Sequence, residues 1–524
     1  MEKIFYKISK LFIFILLTIA FYSSLKNGLS IDENFHHING EVRYHYLINF
    51  GNFDKYDFND NRFYPGLIDT ISFIFFKIFT SIIDIKYLVQ IKHTINFIYA
   101  SLGLYGLYLV NKIVFNKHIA IYSCLLTLMN PFFFGHMGIN PKDPILFTFF
   151  IWTIFYLIKY LENINLKRFK YLILLSVMIG LGSNTRITFL SIIFPLIIFG
   201  IYYVWIYTKS FKIIFADTIT ISIITFFLII IIWPHFHNGD YGLIIENIKH
   251  SSQWLISVKH GLINGNFYEV QNTPRSYLLQ IFMHRIPIFL ILLFCFTYLI
   301  TLIKTNYFSS EIGNNFKIKF VMLNAIFYWP VLILIISKIN LYDNLRLVLF
   351  LMPILCTISS VGLWYLVKNF SENNLLAKIV FILVIVFNIL FLSRFLSITP
   401  YNYIYVNFLS SPTFSKSQNK FEHDYWLTSV GELIYKIKSK YGKNSSNLKI
   451  SLCGGRALTH GYYFASILKN FNIYDYSKAD YIIISNRNFN LEKLTCDQKF
   501  PGQDILNVKK NELVLSSFRK LKKN

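Results

Sequence analysis

The sequence predicts an α-helical membrane protein with many spans, followed by a small C-terminal α/β domain. Of the 524 residues, 54% are hydrophobic and only 15% are charged, whereas soluble domains carry about 25% charged residues. Apolar runs of roughly 17 to 25 residues, long enough to cross a bilayer as a helix, recur as far as residue 397. The chain is polar from residue 398, so we expect a membrane domain over 1–397 and an extracytoplasmic domain over 398–524.

The apolar runs indicate about twelve membrane spans, within a range of eleven to thirteen. Lys3, Lys7 and Lys10 begin the first run, and no small-residue cleavage site follows it. We therefore interpret it as an uncleaved span with a cytoplasmic amino end. The predicted spans are 4–25, 66–83, 88–111, 118–134, 144–161, 171–183, 187–207, 212–233, 277–303, 319–338, 345–367 and 375–397.

Positive charge orients these spans. The formal net charge is +24, and the positive-inside rule places the Lys-rich linkers in the cytoplasm, which makes nucleic-acid binding the weaker explanation of the charge. Two complete spans between 66 and 111 would place Lys112 outside, so the topology of that stretch stays open. The predicted outer loops are 26–65, 131–143, 183–187, 234–276 and 339–346.

The polar and apolar pattern of the C-terminal region predicts a small α/β domain. An amphipathic helix at about 427–440 is followed by strand-like runs at 449–452, 481–485 and 512–516. Cys453 and Cys496 are the two cysteines of this region. An extracytoplasmic location would allow them to form a disulfide, and two free thiols are an equal alternative.

The first outer loop opens with two adjacent acids, Asp32 and Glu33, followed by His36 and His37. Such groups are costly beside a bilayer, so a functional role is the default hypothesis. Mutual repulsion would raise the pKa of one of the two carboxyl groups. The alternative is a solvated loop with incidental charges.

The next outer loops carry further charged groups. His136, Lys142 and Asp143 lie in a Pro-rich break between apolar runs, a pattern typical of backbone that lines a cavity; an ordinary helix-helix turn is the alternative. Arg186 follows a Gly-containing break, and its fork of donors suits a phosphate at headgroup level. An arginine that merely extends to the interface would look the same.

Two other motifs are less specific. Asp343 and Arg346 stand three residues apart beside Tyr342, which also fits a local ion pair. His235 and His237 alternate, and an H-x-H pair alone is weak support for a metal site.

With these motifs in place, the chain resembles the GT-C membrane glycosyltransferases, in particular family 39-like enzymes related to protein O-mannosyltransferases and the aminoarabinose transferase of lipid A. The order and spacing of the motifs carry the resemblance from about residue 30 to 430. One departure is Asn344, where relatives tend to have Gly. The matching segments are 32–36, 64–66, 133–136, 140–143, 182–186, 341–346, 400–407 and 421–426.

The resemblance implies a fold, an activity and roles for residues. It implies a GT-C type fold and inverting transfer of a sugar from a polyprenyl-phosphate carrier to a lipid, glycan or protein acceptor. It implies a bacterial inner membrane location, with the active site facing the periplasm or exterior. Asp32 would be the general base and Asp143 would position acceptor, donor or ion, with Glu33 orienting Asp32 or binding metal. Arg186, Lys142 and, more weakly, Arg346 would stabilise the leaving phosphate; the supporting residues are His36, His136, Tyr342 and Asp343. Dependence on a divalent metal ion stays open.

Two other classes of function stay in competition. A transporter or flippase would carry polar sites near the bilayer midplane, often in two repeated halves. A surface-polysaccharide ligase or polymerase would carry Arg and His in one large late loop, as 234–276 does with His235, His237 and Arg275. The unusual polar residues collect on one predicted side and no repeat is evident, which favours chemistry at one membrane face.

Overall fold

The computed structural model describes residues 2–51, 59–164, 167–253, 260–337, 339–370, 375–453, 472–473, 475–485 and 496–522. Helices make up most of the described chain as far as residue 398. They are α1 (Glu2–Lys26), α2 (Ile31–Ile48), α3 (Leu67–Thr80), α4 (Leu88–Val114), α5 (Lys117–Leu128), α6 (Pro131–His136), α7 (Asp143–Glu162), α8 (Arg168–Thr185), α9 (Phe189–Ile192), α10 (Phe194–Thr208), α11 (Phe211–Ile230), α12 (Pro234–His237), α13 (Leu243–Gln253), α14 (Tyr277–Arg285), α15 (Ile288–Ile303), α16 (Thr305–Ile312), α17 (Phe316–Ile336), α18 (Met352–Lys368) and α19 (Leu375–Ile398).

Seven helices of the described part are long and apolar enough to cross a membrane. An eighth span would join α14 to α15, which are bent by 115° at Ile286 and Pro287. The helices α5 and α10 are apolar but shorter. This arrangement confirms a multi-span helical membrane protein, although several predicted spans are broken: 118–134 divides into α5 and α6, and 187–207 into α9 and α10.

Helix α18 lies at the centre of the bundle. It is buried along nearly its whole length and packs against α5 and α15, while α4, α7, α8 and α11 pack against one another beside it. The α4–α7 contact is close because α4 presents glycines there. A Cβ on Gly103 would stand 2.7 Å from Thr148 Oγ1, so small residues allow the two backbones to approach.

The first predicted outer loop, 26–65, contains a helix. Residues Ile31–Ile48 form α2, which starts with a capping box: Ser30 caps the helix, and the Glu33 side chain accepts from the Ser30 backbone N–H. Helix α2 packs against α3, and a Cβ on Gly40 would stand 2.3 Å from the Asp69 carbonyl oxygen. Residues 52–58 of this predicted loop lie outside the described residues, as do 254–259 of the loop 234–276.

The region after 398 contains helix α20 (Ser429–Tyr441), the short helix α21 (Cys496–Lys499) and a mixed sheet. The strands of the chain are β1 (His260–Ile263) and β2 (Asn266–Glu269), which form a separate hairpin, then β3 (Lys449–Cys453), β4 (Asn472–Ile473), β5 (Tyr481–Ser485), β6 (Gly502–Lys510) and β7 (Leu513–Leu521). The sheet order is β4-β3-β5-β7-β6, with β3 parallel to β4 and β5, and β7 antiparallel to β5 and β6. The predicted helix and the three predicted strands are therefore present.

One covalent bond links two parts of the C-terminal region, and hydrogen bonds link this region to the helix bundle. Cys453, at the end of β3, forms a disulfide with Cys496. The backbone N–H groups of Gly28 and Ile31 donate to the carbonyl oxygens of Thr428 and Trp426. The C-terminal region therefore contacts the chain where α1 gives way to α2.

Candidate active site

Arg346 is the centre of a buried charged cluster. Its guanidinium donates to three carboxylates: Nη1 lies 2.8 Å from Asp343 Oδ2, Nε lies 3.3 Å from Asp143 Oδ2, and Nη2 contacts Asp32 Oδ2. These acids come from the first turn of α2, the first residue of α7 and the segment before α18. The fold thus joins positions that are more than a hundred residues apart in sequence.

The three carboxylates of the cluster differ in accessibility. The side chains of Asp143 and Asp343 are 3% and 1% exposed, whereas that of Asp32 is 28% exposed. Asp143 is also held by Arg186, whose Nη2 lies 2.9 Å from Asp143 Oδ1, and by the side-chain amide of Asn140 at 2.9 Å. Asp32 is therefore the member of the cluster that an incoming molecule can reach.

Aromatic rings and an unusual turn position Arg346. The guanidinium carbon lies 4.8 Å from the Trp426 ring centroid and 5.8 Å from that of Tyr342, a cation–π arrangement. Burial raises the pKa of the Tyr342 hydroxyl to about 12. Asp343 and Asn344 both have positive φ values, 55° and 60°, a conformation that Asp and Asn tolerate better than most residues. Asn344 therefore meets a backbone requirement that Gly would also satisfy.

Lys142 provides a second positive group beside the cluster. Its ammonium lies 4.4 Å from the centroid of the Tyr64 ring, and within the described part of the chain no carboxylate forms a salt bridge with it. Burial, with the neighbouring Arg186 charge, lowers the pKa of Lys142 to about 7. Lys142 is one wall of a small cavity that is partly open to solvent, which is lined by His36, Tyr64, Gly66, Ile68, Asp69, Pro141, Lys142, Asn184 and Thr185.

Glu33 does not join its neighbour at Arg346. Successive residues of a helix point in different directions, and the Glu33 carboxylate turns to the Ser30 backbone N–H at 2.7 Å and to His93 Nε2 at 3.1 Å. It is 3% exposed. Its contacts support the start of α2, and they do not include Asp32.

The two histidines predicted as supporting residues have different partners. His36 Nδ1 lies 3.1 Å from both carboxylate oxygens of Asp69, at the edge of the cavity. His136 is fully buried, with Nε2 2.8 Å from the Tyr425 hydroxyl. Burial lowers the pKa of His136 to about 3, so it is a neutral hydrogen-bonding group that packs behind the cluster.

Several residues of the site escaped the sequence prediction. Asp69 is the most informative, because a single acid in the apolar run 66–83 was a readable signal of function. Asn140 holds Asp143, and Trp426 covers Arg346. The role of Trp426 depends on a contact across the fold, whereas Asn140 contacts an acid only three residues away. Both residues stand in segments that carry the family resemblance, 421–426 and 140–143.

The acids of the cluster do not form a metal site in this arrangement. Among the described residues, no group of three or more His, Cys, Asp and Glu side chains has a geometry that would hold a metal ion. The guanidinium of Arg346 occupies the position between the three aspartates. Of the H-x-H pair, His237 Nδ1 instead lies 2.8 Å from the Tyr46 hydroxyl.

Comparison with known proteins gives a family match and similar folds. Residues 72–235 match the family model described as dolichyl-phosphate-mannose-protein mannosyltransferase. No curated protein matches the sequence. ArnT from Cupriavidus metallidurans, bound to undecaprenyl phosphate, aligns over 97% of both chains with 10% identity and a TM-score of 0.47. An oligosaccharyltransferase from Archaeoglobus fulgidus, tethered to an acceptor peptide, aligns over 90% of this chain and 69% of its own with 12% identity and a TM-score of 0.44.

The segment that matches the family model contains Lys142, Asp143 and Arg186, together with His136 and Asn140. Asp32 and Arg346 lie outside it. The match over residues 72–235 confirms the resemblance of this chain to the GT-C superfamily of membrane glycosyltransferases.

Proposed function

We propose that this protein is an inverting glycosyltransferase that moves a sugar from a polyprenyl-phosphate carrier to a lipid, glycan or protein acceptor. One observation carries the proposal: Arg346 binds three carboxylates, of which Asp32 alone reaches the surface of the site. Asp143 and Asp343 hold the Arg346 guanidinium in place, and the guanidinium in turn orients the Asp32 carboxylate. We place the reaction at the periplasmic or exterior face of a bacterial inner membrane.

Asp32 is the general base in this proposal. It takes the proton of the acceptor hydroxyl or amine as that atom attacks C1 of the sugar. The bond between C1 and the phosphate oxygen breaks, and its electron pair leaves with the polyprenyl phosphate. Attack opposite the leaving group inverts the configuration at C1, as in other inverting reactions of glycosides.

Arg186 and Lys142 are the cations that stabilise the leaving phosphate. Both flank Asp143, and the Arg186 side chain is 20% exposed. A phosphate leaving group is already acidic, so fixed positive charge replaces the general acid that a sugar leaving group would need. Arg346 has its donors committed to carboxylates, so its role here is to position Asp32.

The location of the cluster supports chemistry at one face over transport. The amino ends of α2 and α7, the carboxyl end of α8 and the start of the α18 span meet around Arg346. These are helix ends, so the charged groups gather at one end of the bundle. A transport site would be expected near the middle of the spans.

Replacement of Asp32 by Asn tests the proposal. Asn keeps an oxygen for Arg346 but cannot take a proton, so transfer should fall by about a hundredfold or more. The assay uses purified full-length protein, radiolabelled polyprenyl-phosphate sugars and envelope fractions of a deletion strain as acceptor. Asp84→Asn, an exposed acid between α3 and α4, is the matched control. Near-normal transfer by Asp32→Asn would refute the base assignment, and absence of transfer by the unmodified protein would refute the function.

A further inference from the structure

Helix α2 carries a second polar row that continues from Asp32. Asp32, His36, Asn39 and Arg43 are four, three and four residues apart, which places them on one face of a helix. His36 and Asn39 contact Asp69, which lies in α3. Arg43 contacts the segment before α3. The row therefore connects the base of the proposed reaction with the half-buried carboxylate of Asp69.

Hydrogen bonds fix the Asp69 carboxylate in this row. The Asn39 side-chain amide donates to Asp69, and Arg43 donates to the oxygen of the Asn39 side chain. Arg43 is fully buried and also donates to the carbonyl oxygens of Asn61, Tyr64 and Pro65. Arg43 thus ties the chain before α3, including Tyr64, to the same network.

The Asp69 carboxylate orients the His36 ring. Nδ1 faces the carboxylate at 3.1 Å, and in the tautomer that donates a proton from Nδ1 to Asp69, Nε2 is a hydrogen-bond acceptor. His36 lines the cavity, and none of the described residues bonds to its Nε2. Nε2 therefore has a fixed direction and, within the part of the chain that the structure describes, no protein partner.

Most other polar groups of the cavity wall already have hydrogen-bond partners in the protein. Asn184 binds the Leu67 backbone N–H at 2.8 Å and the Leu228 carbonyl oxygen at 2.6 Å, and the Thr185 hydroxyl donates to the Leu181 carbonyl oxygen at 3.0 Å. His36 Nε2 and the Lys142 ammonium are left for a ligand. They offer one hydrogen-bond acceptor and one cation on the walls of the same cavity.

We propose that this cavity is the sugar subsite of the donor, with His36 accepting a hydrogen bond from a sugar hydroxyl while Lys142 attracts the phosphate end. Asp69 is a positioning residue, because it acts on the ligand through His36. The proposal rests on the proposed function and names where its donor sugar binds. A glycosyl phosphate carries both the hydroxyl donor and the negative charge that these two residues require.

Binding of two lipids, one with and one without a sugar, tests the subsite. Bare undecaprenyl phosphate is compared with undecaprenyl-phosphate-linked mannose, glucose, galactose and aminoarabinose on the purified full chain in nanodiscs. His36→Phe should weaken binding of the preferred sugar-bearing lipid about five- to tenfold, the usual net value of one hydrogen bond, and leave binding of the bare lipid unchanged. His36→Gln, which supplies an oxygen acceptor, should recover part of the loss. Lys142→Met should weaken binding of both lipids.

Controls separate a subsite from general damage. His284→Phe changes a half-buried histidine that bonds Ser410 and should alter neither affinity. Equal weakening of both lipids by His36→Phe, no weakening of the sugar-bearing lipid, or no preference of the unmodified protein for any sugar-bearing lipid would each overturn the proposal. If the unmodified protein binds a sugar-bearing lipid more tightly but transfers none, the proposed function fails while the subsite stands.

Discussion

At the scale of single residues, the charges of the site differ in how far the protein has already neutralised them. Arg346 donates to three carboxylates and Arg186 to one. Lys142 is paired with an aromatic ring and with no carboxylate among the described residues. Since even a partly buried cation without an anion is costly, Lys142 is the group that gains most from a phosphate ligand.

We predict that donor binding depends on pH through Lys142. Its pKa is lowered to about 7 by burial and by the Arg186 charge, so the free protein loses this positive charge as pH rises through that value. The KM for a polyprenyl-phosphate sugar should therefore rise with pH, by about tenfold over the two units above that pKa. Lys142→Arg stays charged throughout and should flatten this dependence. Lys159→Arg, near the carboxyl end of α7, the helix that Lys142 precedes, is the control. Identical pH profiles for Lys142→Arg and the unmodified protein would contradict the prediction.

The same lowered pKa has a consequence for stability. A lysine whose pKa is lower in the folded than in the unfolded chain destabilises the fold while it is charged. Between about 7 and the ordinary lysine value the unfolded chain binds the additional proton, so the contribution of Lys142 to stability rises with pH across that window. Donor binding and stability therefore respond to pH in opposite directions at this residue.

The sequence could predict which residues carry charge at the site, but not which of them is central. Asp32, Asp143, Arg186 and Asp343 are conspicuous because they interrupt apolar sequence. Arg346 looks like half of a local ion pair with Asp343, and that pair exists. Its contacts with Asp32 and Asp143 depend on the packing of α2 and α7 against the segment before α18. The spacing of residues within one segment cannot predict that packing.

At the scale of elements, α2 is a helix where the sequence predicted an outer loop. Its buried residues include Glu33, His36, His37, Asn39 and Arg43, so its inner face is polar and has no apolar periodicity that would predict a helix. The capping pattern of Ser30 and Glu33 was the readable signal. A polar row on a buried helix face can be stable only when each group has a partner, and α3 and α4 supply Asp69 and His93.

We predict that the α2–α3 contact requires Gly40. A Cβ at this position would stand 2.3 Å from the Asp69 carbonyl oxygen and 2.7 Å from its carbon, and backbone atoms cannot move away cheaply. Gly40→Ala should destabilise the protein by about 1–3 kcal/mol, as overpacking does, although the same change in an open helix would stabilise it. Thermal unfolding of the purified protein in detergent measures the effect.

The displacement caused by Gly40→Ala should also reach the site. Separation of α2 from α3 lengthens the His36–Asp69 contact, so affinity for sugar-bearing lipid should fall with the melting temperature. Gly242→Ala is the matched control, because its Cβ meets nothing within 4 Å and its φ is not in the strained range. Unchanged melting temperature and lipid affinity in Gly40→Ala would show that the contact tolerates a side chain.

At the scale of the whole molecule, apolar runs predicted a multi-span helical protein but overcounted straight spans. Runs such as 187–207 and 277–303 are continuous in hydropathy, yet Thr188 and Ile193 flank the short α9, and Ile286 and Pro287 separate α14 from α15. Hydropathy reports that a segment avoids water and says little about its direction. Breaks inside such a run depend on which neighbouring helix accepts the backbone groups that the break releases.

The C-terminal region and the site lie at the same end of the bundle. Trp426 packs on Arg346, Tyr425 binds His136, and Thr428 Oγ1 donates to the Asn27 side chain at 3.0 Å. These residues lead directly into α20 and the sheet. The side of the membrane on which the sheet folds is therefore the side on which the site opens.

We predict that this side is extracytoplasmic, because the disulfide between Cys453 and Cys496 requires an oxidising compartment to persist. In intact cells, a membrane-impermeant maleimide should label the protein only after mild reduction. The label should be absent from Cys453→Ser/Cys496→Ser and retained in Cys295→Ser, which removes a thiol on a membrane helix. Loss of the disulfide should also lower stability by about 2–5 kcal/mol. Labelling that requires permeabilised cells would put the sheet, and with it the opening of the site, in the cytoplasm.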